Sequence, residues 1–145
     1  MINNFKFSQR SVNNLSGIHR DLVRIVKRAL EITSIDFSVT YGMRTVAQQE
    51  EILKNKKSTT KNSRHLTGHA VDLTPWLDGK SVDGSKTENW GHFATVARAM
   101  KMASLELKIP MEWGGDWEFV IIDGKKVPFK DGYHFQLPWA SYPLK

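Results

Sequence analysis

Two histidines and an aspartate lie in the stretch SRHLTGHAVDLT at residues 63–74. His65 and His69 are four residues apart, as in a helical zinc-binding motif, but Leu66 stands where that motif has its glutamate. Gly68 disfavours a helix, and the residues that follow it alternate with a period of two. We therefore predict a turn followed by a strand, rather than a metal-binding helix.

The predicted strand separates His69 from Asp72, because residues an odd number of positions apart point to opposite faces. A bend at Thr67–Gly68 could instead fold His65 back beside Asp72, and the small Ala70 would leave room for an ion. The chain has no cysteine, so a zinc ion would be bound by His, Asp or Glu. A catalytic zinc usually takes three protein ligands, so a third ligand has to come from elsewhere.

The segment DGYHFQL at residues 131–137 is the best source of that third ligand. His134 begins an apolar strand there, and Asp131 lies upstream in a turn, where its carboxylate could meet a metal-bound water. We expect the remaining histidines to be core or surface hydrogen-bonding residues: His19, His69 and His92.

The elements that position these residues follow from the hydrophobic pattern. Apolar residues at three- and four-residue steps predict a helix from Ser16 to Thr33, and a capping box at Ser85–Glu88 opens a second helix that closes before Pro110. Turn residues predict a surface excursion at Pro75–Gly84 and a solvated basic loop at Lys54–Arg64. Further predicted elements are strands at Ile35–Tyr41, 69–74 and His134–Leu137, a helix at Val46–Leu53 and a hairpin around Asp123–Gly124.

Length and charge limit the possible classes of protein. With 145 residues, of which 40% are hydrophobic, the chain is expected to form one domain over residues 1–145, an α+β fold with a small, mostly antiparallel sheet and flanking helices. A net charge of +6 and a pI near 9.6 favour an anionic partner, which could be nucleic acid, anionic lipid or a cell-wall polymer. No aromatic residues interleave the basic run, which argues against nucleic acid. Calcium binding by Asp78, Asp83 and Glu88 stays open, although the spacing is not that of an EF-hand loop.

Four motifs together resemble the VanY-like zinc peptidases, and most closely the small L-alanyl-D-glutamate peptidase endolysins of tailed bacteriophages. The motifs are Ser63-x-His65-x-x-Gly68-x-Ala70-x-Asp72, Asp131-x-x-His134, Gly42-x-Arg44-Thr45 and Trp113-Gly114-Gly115-Asp116-Trp117. The pairing of the first two motifs is specific, since either alone is a much weaker signature. The resemblance implies a fold of the Hedgehog/DD-peptidase type.

The resemblance also implies a role for individual residues. It assigns zinc binding to His65, Asp72 and His134, and the catalytic acid/base role to Asp131. It places near the substrate Arg44, which would hold the substrate or its developing oxyanion, as well as Ser63 and Gln49, with Gln48 as an alternative to Gln49. Independently of the family, the Gly-Gly between two tryptophans suggests backbone close to a ligand groove, with substrate contacts at Trp113 or Asp116.

The expected protein is thus a monomeric zinc peptidase that cleaves peptidoglycan stem peptides at the L-Ala–D-Glu bond and lyses the host cell. The sequence shows no signal peptide and no run of roughly 20 apolar residues, so we expect synthesis in the host cytoplasm and access to the wall after membrane permeabilisation. The alternatives are a D,D-carboxypeptidase or dipeptidase of the same family, a non-catalytic zinc-stabilised wall-binding module, and a basic nucleic-acid protein. The acid at Asp131 argues against the binding module.

Overall fold

The computed structural model describes residues 3–43, 64–117, 119–122, 124–128 and 130–142. Within these ranges the helices are α1 (Gln9–Asn14), α2 (Arg20–Ile32) and α3 (Trp90–Leu107). The strands are β1 (Asp36–Tyr41), β2 (Ala70–Leu77), β3 (Lys80–Ser81), β4 (Glu112–Trp113), β5 (Phe119–Ile122), β6 (Lys125–Pro128) and β7 (His134–Gln136). Short 3-10 helices occupy Arg64–Thr67, Thr87–Asn89 and Gly114–Asp116.

The main sheet has the strand order β1-β2-β7-β4, with β3 paired to the end of β2. Each pair of neighbouring strands is antiparallel, and β5 and β6 form a separate two-stranded hairpin. The predicted α+β fold with a small, mostly antiparallel sheet and flanking helices is therefore confirmed. The hairpin around Asp123–Gly124 is confirmed as well, because Ile122 pairs with Lys125 across that turn.

The two faces of the sheet have different chemistry. One face carries the apolar side chains of β1, β2 and β7 into a core shared with α2 and α3, which pack against each other. Its buried members include Phe37, Val39, Val71, Leu73 and Phe135. Strand alternation directs the intervening polar residues to the opposite face. That polar face carries Asp72, and the candidate site lies there.

Both long helices begin later than the sequence predicted. Helix α2 starts at Arg20 and not at Ser16, since the His19 ring nitrogen Nδ1 accepts the Asp21 backbone N–H at 3.1 Å and so caps the helix. Residues 15–19 form a turn that links α2 to the separate helix α1. The predicted capping box is wrong: the Ser85 hydroxyl donates to the Asp83 carboxylate at 2.7 Å, and α3 begins at Trp90 without a side-chain cap.

Two segments that were predicted as surface loops, Pro75–Gly84 and Lys54–Arg64, contain residues that belong to the sheet or are buried. Strand β2 continues through Pro75 to Leu77 and turns back at Asp78–Gly79 into β3, so the segment is largely a hairpin. Arg64, at the end of the predicted solvated run, is only 1% exposed, and its guanidinium donates to the carbonyl oxygens of Leu137, Pro138 and Tyr142. The rest of that run and the predicted helix Val46–Leu53 lie outside the described residues. In the described part of the chain, no helix has the length and apolar character needed to cross a membrane.

Candidate metal centre

His65, Asp72 and His134 converge on one point of the polar face. Asp72 on β2 and His134 on β7 are register partners, so their side chains stand next to each other on the same side of the sheet. His65 reaches them from the 3-10 helix that precedes β2. One ligand atom from each residue lies within 4.8 Å of the other two. The sequence prediction that His65 folds back beside Asp72 and that the 131–137 segment completes the group describes this arrangement.

The turn at Gly68 brings His65 back over the strand. Gly68 has a φ of +75°, and a Cβ there would collide with the carbonyl oxygen of Gly17, so glycine is required on both counts. The His65 Nδ1 donates to the carbonyl oxygen of Gly42 at 2.9 Å. This bond fixes the ring orientation and directs Nε2 toward the Asp72 Oδ1, 3.2 Å away. Nε2 is therefore the nitrogen that faces the common point.

His134 is oriented by a chain of polar side chains that the sequence prediction missed. Its Nε2 donates to the Gln136 side-chain oxygen at 2.7 Å, and the Gln136 amide donates to the Glu112 carboxylate at 3.1 Å. The His134 Nδ1 is thereby left to face the Asp72 Oδ1 at 3.5 Å. Strand alternation places His134 and Gln136 on the same face, so the sequence contained a signal for the contact between them. The contact between Gln136 and Glu112 depends on pairing between β4 and β7, which are distant in sequence.

Electrostatics keep the aspartate of this group ionised. Burial alone would raise the pKa of Asp72, but hydrogen bonds from His134 and His65 outweigh it and hold that pKa well below its usual range. Burial likewise opposes charge on His134, and the neighbouring Asp72 and Asp131 carboxylates raise its pKa above the ordinary value. A negatively charged carboxylate between two imidazoles is a donor set suited to a divalent cation.

Asp131 lies beside the group, in the turn that leads into β7. Its carboxylate accepts the Tyr133 backbone N–H at 3.1 Å, and its own N–H donates to the carbonyl oxygen of Gly114 at 3.1 Å. Burial, followed by the charge of Asp72, raises the pKa of Asp131. A Cβ on Gly114 would collide with the Asp131 carbonyl, so glycine lets the two turns meet. The Gly-Gly pair was predicted to lie close to a ligand groove; in the structure its first glycine lies against the turn that carries Asp131.

Comparison with known proteins agrees with this geometry. Residues 3–137 match the sequence profile of the family described as phage L-alanyl-D-glutamate peptidase. The chain belongs to this peptidase family. It is 36% identical over 116 residues to the L-alanyl-D-glutamate peptidase of Escherichia phage T5, covering 78% of this chain and 82% of that protein. It is also similar to the crystal structure of the Serratia marcescens L-Ala D-Glu endopeptidase ChiX, with 39% identity, a TM-score of 0.82, and coverage of 98% of this chain and 96% of that one.

The structure describes only some of the other residues that the sequence analysis predicted near the substrate. Arg44, Gln48, Gln49 and Ser63 lie outside the described residues. Trp113 is buried, and its indole N–H donates to the carbonyl oxygen of Gly132 at 2.9 Å, in the turn that holds Asp131. Asp116 is exposed and pairs with Lys101 at 2.6 Å. Substrate contact by Trp113 or Asp116 stays a prediction, and the bond to Gly132 gives Trp113 a positioning role.

The remaining histidines of this family member lie away from the candidate metal centre. His19 and His69 pack against each other, with ring centroids 5.3 Å apart, and the ring of Tyr142 lies 5.1 Å from that of His19. His92 is partly exposed on α3. The sequence expectation for these three is consistent with these positions. A tryptophan that the sequence reasoning did not connect with the centre, Trp117, lies against the His134 ring with centroids 5.1 Å apart.

Proposed function

We propose that the chain is a zinc-dependent peptidoglycan endopeptidase that hydrolyses the L-alanyl-D-glutamate bond of the stem peptide and acts as a phage endolysin. The convergence of His65, Asp72 and His134, with Asp131 beside them, carries the proposal. The relatives named above support the choice of bond, because both are described as acting between L-Ala and D-Glu.

The donor set fits zinc in particular. Two imidazoles and one carboxylate are a familiar catalytic combination for this ion, which leaves a fourth position for water. Each histidine uses its other ring nitrogen to donate, His65 to the Gly42 carbonyl and His134 to Gln136, as metal-binding histidines usually do. When bound there, zinc would lower the pKa of a coordinated water and polarise the scissile carbonyl.

The residues of the chain supply the proton transfers and the charge stabilisation. Asp131 would take the proton of the attacking water and pass it to the departing amine, acting first as general base and then as general acid. The backbone contacts from Tyr133 and to Gly114 hold the Asp131 turn in place during both steps. Arg44, assigned by the family resemblance, would stabilise negative charge on the carbonyl oxygen in the transition state.

The metal is tested first. Purified protein should contain about one zinc per chain, and a chelator should abolish hydrolysis of purified sacculi until zinc is restored. Full activity of protein shown to be metal-free would contradict the proposal.

Asp131 is tested separately from the metal. The substitution Asp131→Ala should lower kcat by about 10²–10⁴-fold, the usual contribution of a general acid/base, while the zinc content stays at that of the wild type. Asp131→Asn, which keeps the shape and the contact to Tyr133 but cannot take up a proton, should be nearly as impaired. An Asp131→Asn variant with wild-type kcat would remove Asp131 from this role.

The alternatives predict different products and ligands. A D,D-carboxypeptidase would release D-alanine, whereas the proposed enzyme creates a new D-Glu amino terminus, so mass spectrometry of digested muropeptides separates them. A wall-binding module would hold zinc and cleave neither bond. A nucleic-acid protein would retard DNA in a gel at low salt without zinc. We further propose a single catalytic domain that acts as a monomer, with access to the wall after permeabilisation of the host membrane.

A further inference from the structure

We propose that a polar groove beside the candidate metal centre binds the muramyl sugar to which the stem peptide is attached. This inference rests on the proposed function and adds a carbohydrate subsite to it. The groove has a volume of about 620 Å³ and begins at Asp72, so it is continuous with the centre. It runs over the polar face of β1 and β2 toward Trp76.

The floor of the groove is made of hydroxyl groups. Ser38 on β1 and Thr74 on β2 are register partners, and the Thr40 hydroxyl is hydrogen-bonded to that of Thr74. Ser81 on β3 lines the same groove beyond them. Hydroxyl side chains both donate and accept, so together they can match the hydroxyls and the acetamido groups of a sugar.

Trp76 supplies the apolar surface that sugar recognition needs. Its side chain lines the groove and is 37% exposed, although it is among the largest apolar residues of the chain. The indole N–H donates to the Ser38 hydroxyl at 2.7 Å, which fixes the ring at the end of the hydroxyl floor. An aromatic ring held in this way can pack its face against the C–H face of a pyranose while its polar edge stays hydrogen-bonded.

The charges around the groove favour a neutral ligand. Among the described lining residues Arg10 is the one cation. Of the two lining carboxylates, Asp72 faces His65 and His134, and Asp83 is bonded to Ser85. The part of the stem peptide beyond D-Glu carries free carboxylates, which would call for several cations. Muramic acid has its own carboxyl group converted to an amide by L-alanine, so the sugar side of the scissile bond is uncharged.

The length of the groove also fits the distance from the scissile bond to the muramyl sugar. Trp76 lies four residues along β2 from Asp72, which at about 3.3 Å per residue is roughly 13 Å. L-alanine and the lactyl ether separate the scissile carbonyl from the sugar ring by about two residue lengths, on the order of 7 Å. A pyranose that follows them would reach across Thr74 to the face of Trp76.

The kinetic test uses two substrates that differ only in the sugar. One is a disaccharide-linked stem peptide, and the other is the same peptide with an acetyl group on L-alanine. The wild type should have a kcat/KM at least about tenfold higher for the sugar-linked substrate, the equivalent of one well-packed aromatic contact. Trp76→Ala should bring this ratio close to one, and Trp76→Phe should keep part of it.

Leu77→Ala is the matched control, since Leu77 is the next residue of β2, is 44% exposed and does not line the groove. That variant should retain the wild-type ratio. Equal wild-type rates on the two substrates would overturn the proposal, as would a Trp76→Ala variant that loses the same factor on both, because the groove would then hold peptide. If neither substrate is cleaved, the proposed function fails, and the sugar site is decided by binding alone.

Binding is measured on the protein as purified, with the disaccharide of N-acetylglucosamine and N-acetylmuramic acid whose lactyl carboxyl group is blocked as its methylamide. This probe has no L-Ala–D-Glu bond to cleave and, like the sugar in the intact substrate, no charge. Its addition should shift the NMR signals of the Trp76 indole N–H and the Ser38 and Thr74 amides, with saturation. The same titration of Trp76→Ala should require at least about tenfold more sugar. Shifts that are absent, or that are unchanged in Trp76→Ala, would contradict a sugar site in this groove.

Discussion

Two pairs of histidines in this molecule have different surroundings. In the Asp72 cluster, formed by His65, Asp72 and His134, the rings are 5.0 Å apart, and each directs one nitrogen toward the same carboxylate. In the Tyr142 cluster, formed by His19, His69 and Tyr142, the histidine rings are 5.3 Å apart, close to the same separation. The separation of the rings therefore does not distinguish a ligand set from a packing contact.

The difference lies in what the ring nitrogens contact. His19 Nδ1 accepts a backbone N–H at the start of α2, and His69 Nδ1 lies 2.7 Å from the Thr67 hydroxyl. Burial, then the charges of Arg64 and His19, lower the pKa of His69, whereas the carboxylates beside His134 raise the pKa of that residue despite its burial. The Asp72 carboxylate, which faces both rings, supports the proposal that the Asp72 cluster binds a cation, whereas the Tyr142 cluster holds chain segments together.

The largest expected effect separates the two clusters directly. His134→Ala removes one of the three proposed zinc ligands, so the zinc content should fall toward zero. The rate of hydrolysis should fall on the order of 10³-fold or more, because water activation and carbonyl polarisation would both be lost. His69→Ala should keep about one zinc per chain and most of the activity. Metal analysis after dialysis and muropeptide release measure the two quantities. Equal zinc loss in both variants would contradict the proposal that only the Asp72 cluster binds the metal.

Arg64 supports the Tyr142 cluster and directly precedes His65 in the chain, and its removal should have the next largest effect. Its backbone carbonyl accepts the His69 N–H at 3.0 Å, and its buried guanidinium binds three carbonyls of residues 137–142, close to Tyr142. Arg64→Met keeps the length but leaves these carbonyls without a charged donor, so the free energy of unfolding should fall by roughly 2–4 kcal/mol.

Urea unfolding measures this loss. The control is Arg28→Met, since Arg28 forms exposed ion pairs with Glu106 at 2.7 Å and Glu31 at 3.3 Å. Solvent screens such surface pairs, so Arg28→Met should lower the free energy of unfolding much less than Arg64→Met does. A loss at Arg64 no larger than that at Arg28 would show that the buried guanidinium does not hold the C-terminal segment.

Sequence patterns predicted the members of the Asp72 cluster. The residues that support the cluster were harder to predict from the sequence. Gly68 and the alternation after it excluded His69 and allowed His65 to fold back beside Asp72, whereas the choice of His65 and His134 as ligands depended on their joint spacing with Asp72 and Asp131 and on the family resemblance. Burial of Arg64 could not be read from a run of basic residues, as its partners are carbonyls more than seventy positions away. The start of α2 was missed because histidine is an unusual capping residue, and the bond from Gln136 to Glu112 depends on the pairing of β4 with β7.

The third effect tests the side chains behind His134. Gln136→Leu removes the acceptor of the His134 Nε2 proton while keeping a side chain of similar size, so zinc affinity should fall about 10–100-fold. Competition with a chromophoric chelator measures the affinity. Glu112→Gln, one step further out, should cost less, and its amide can still accept from Gln136. Unchanged affinity in Gln136→Leu would mean that His134 is oriented by packing alone.

The smallest effect concerns the Tyr142 cluster and its pH dependence. The Tyr142 hydroxyl donates to the Asp21 carboxylate at 2.7 Å, and burial together with Asp21 raises the pKa of this tyrosine to about 12. A raised pKa means that the contact stabilises the fold fully below about pH 10 and is lost as the pH rises toward 12. Tyr142→Phe should therefore cost less than about 1 kcal/mol at neutral pH, since the group is only partly buried.

Between pH 10 and 12 the wild type should lose this advantage, so the unfolding free energies of wild type and Tyr142→Phe should converge. Asp21→Asn keeps an oxygen acceptor but removes the charge, and it should move the convergence to lower pH. Urea unfolding of both proteins over this range, with zinc content checked at neutral pH, measures the effect. Because the proposed zinc ligands all lie in the Asp72 cluster, none of these variants should change the zinc content, and a change would show that the two clusters are coupled.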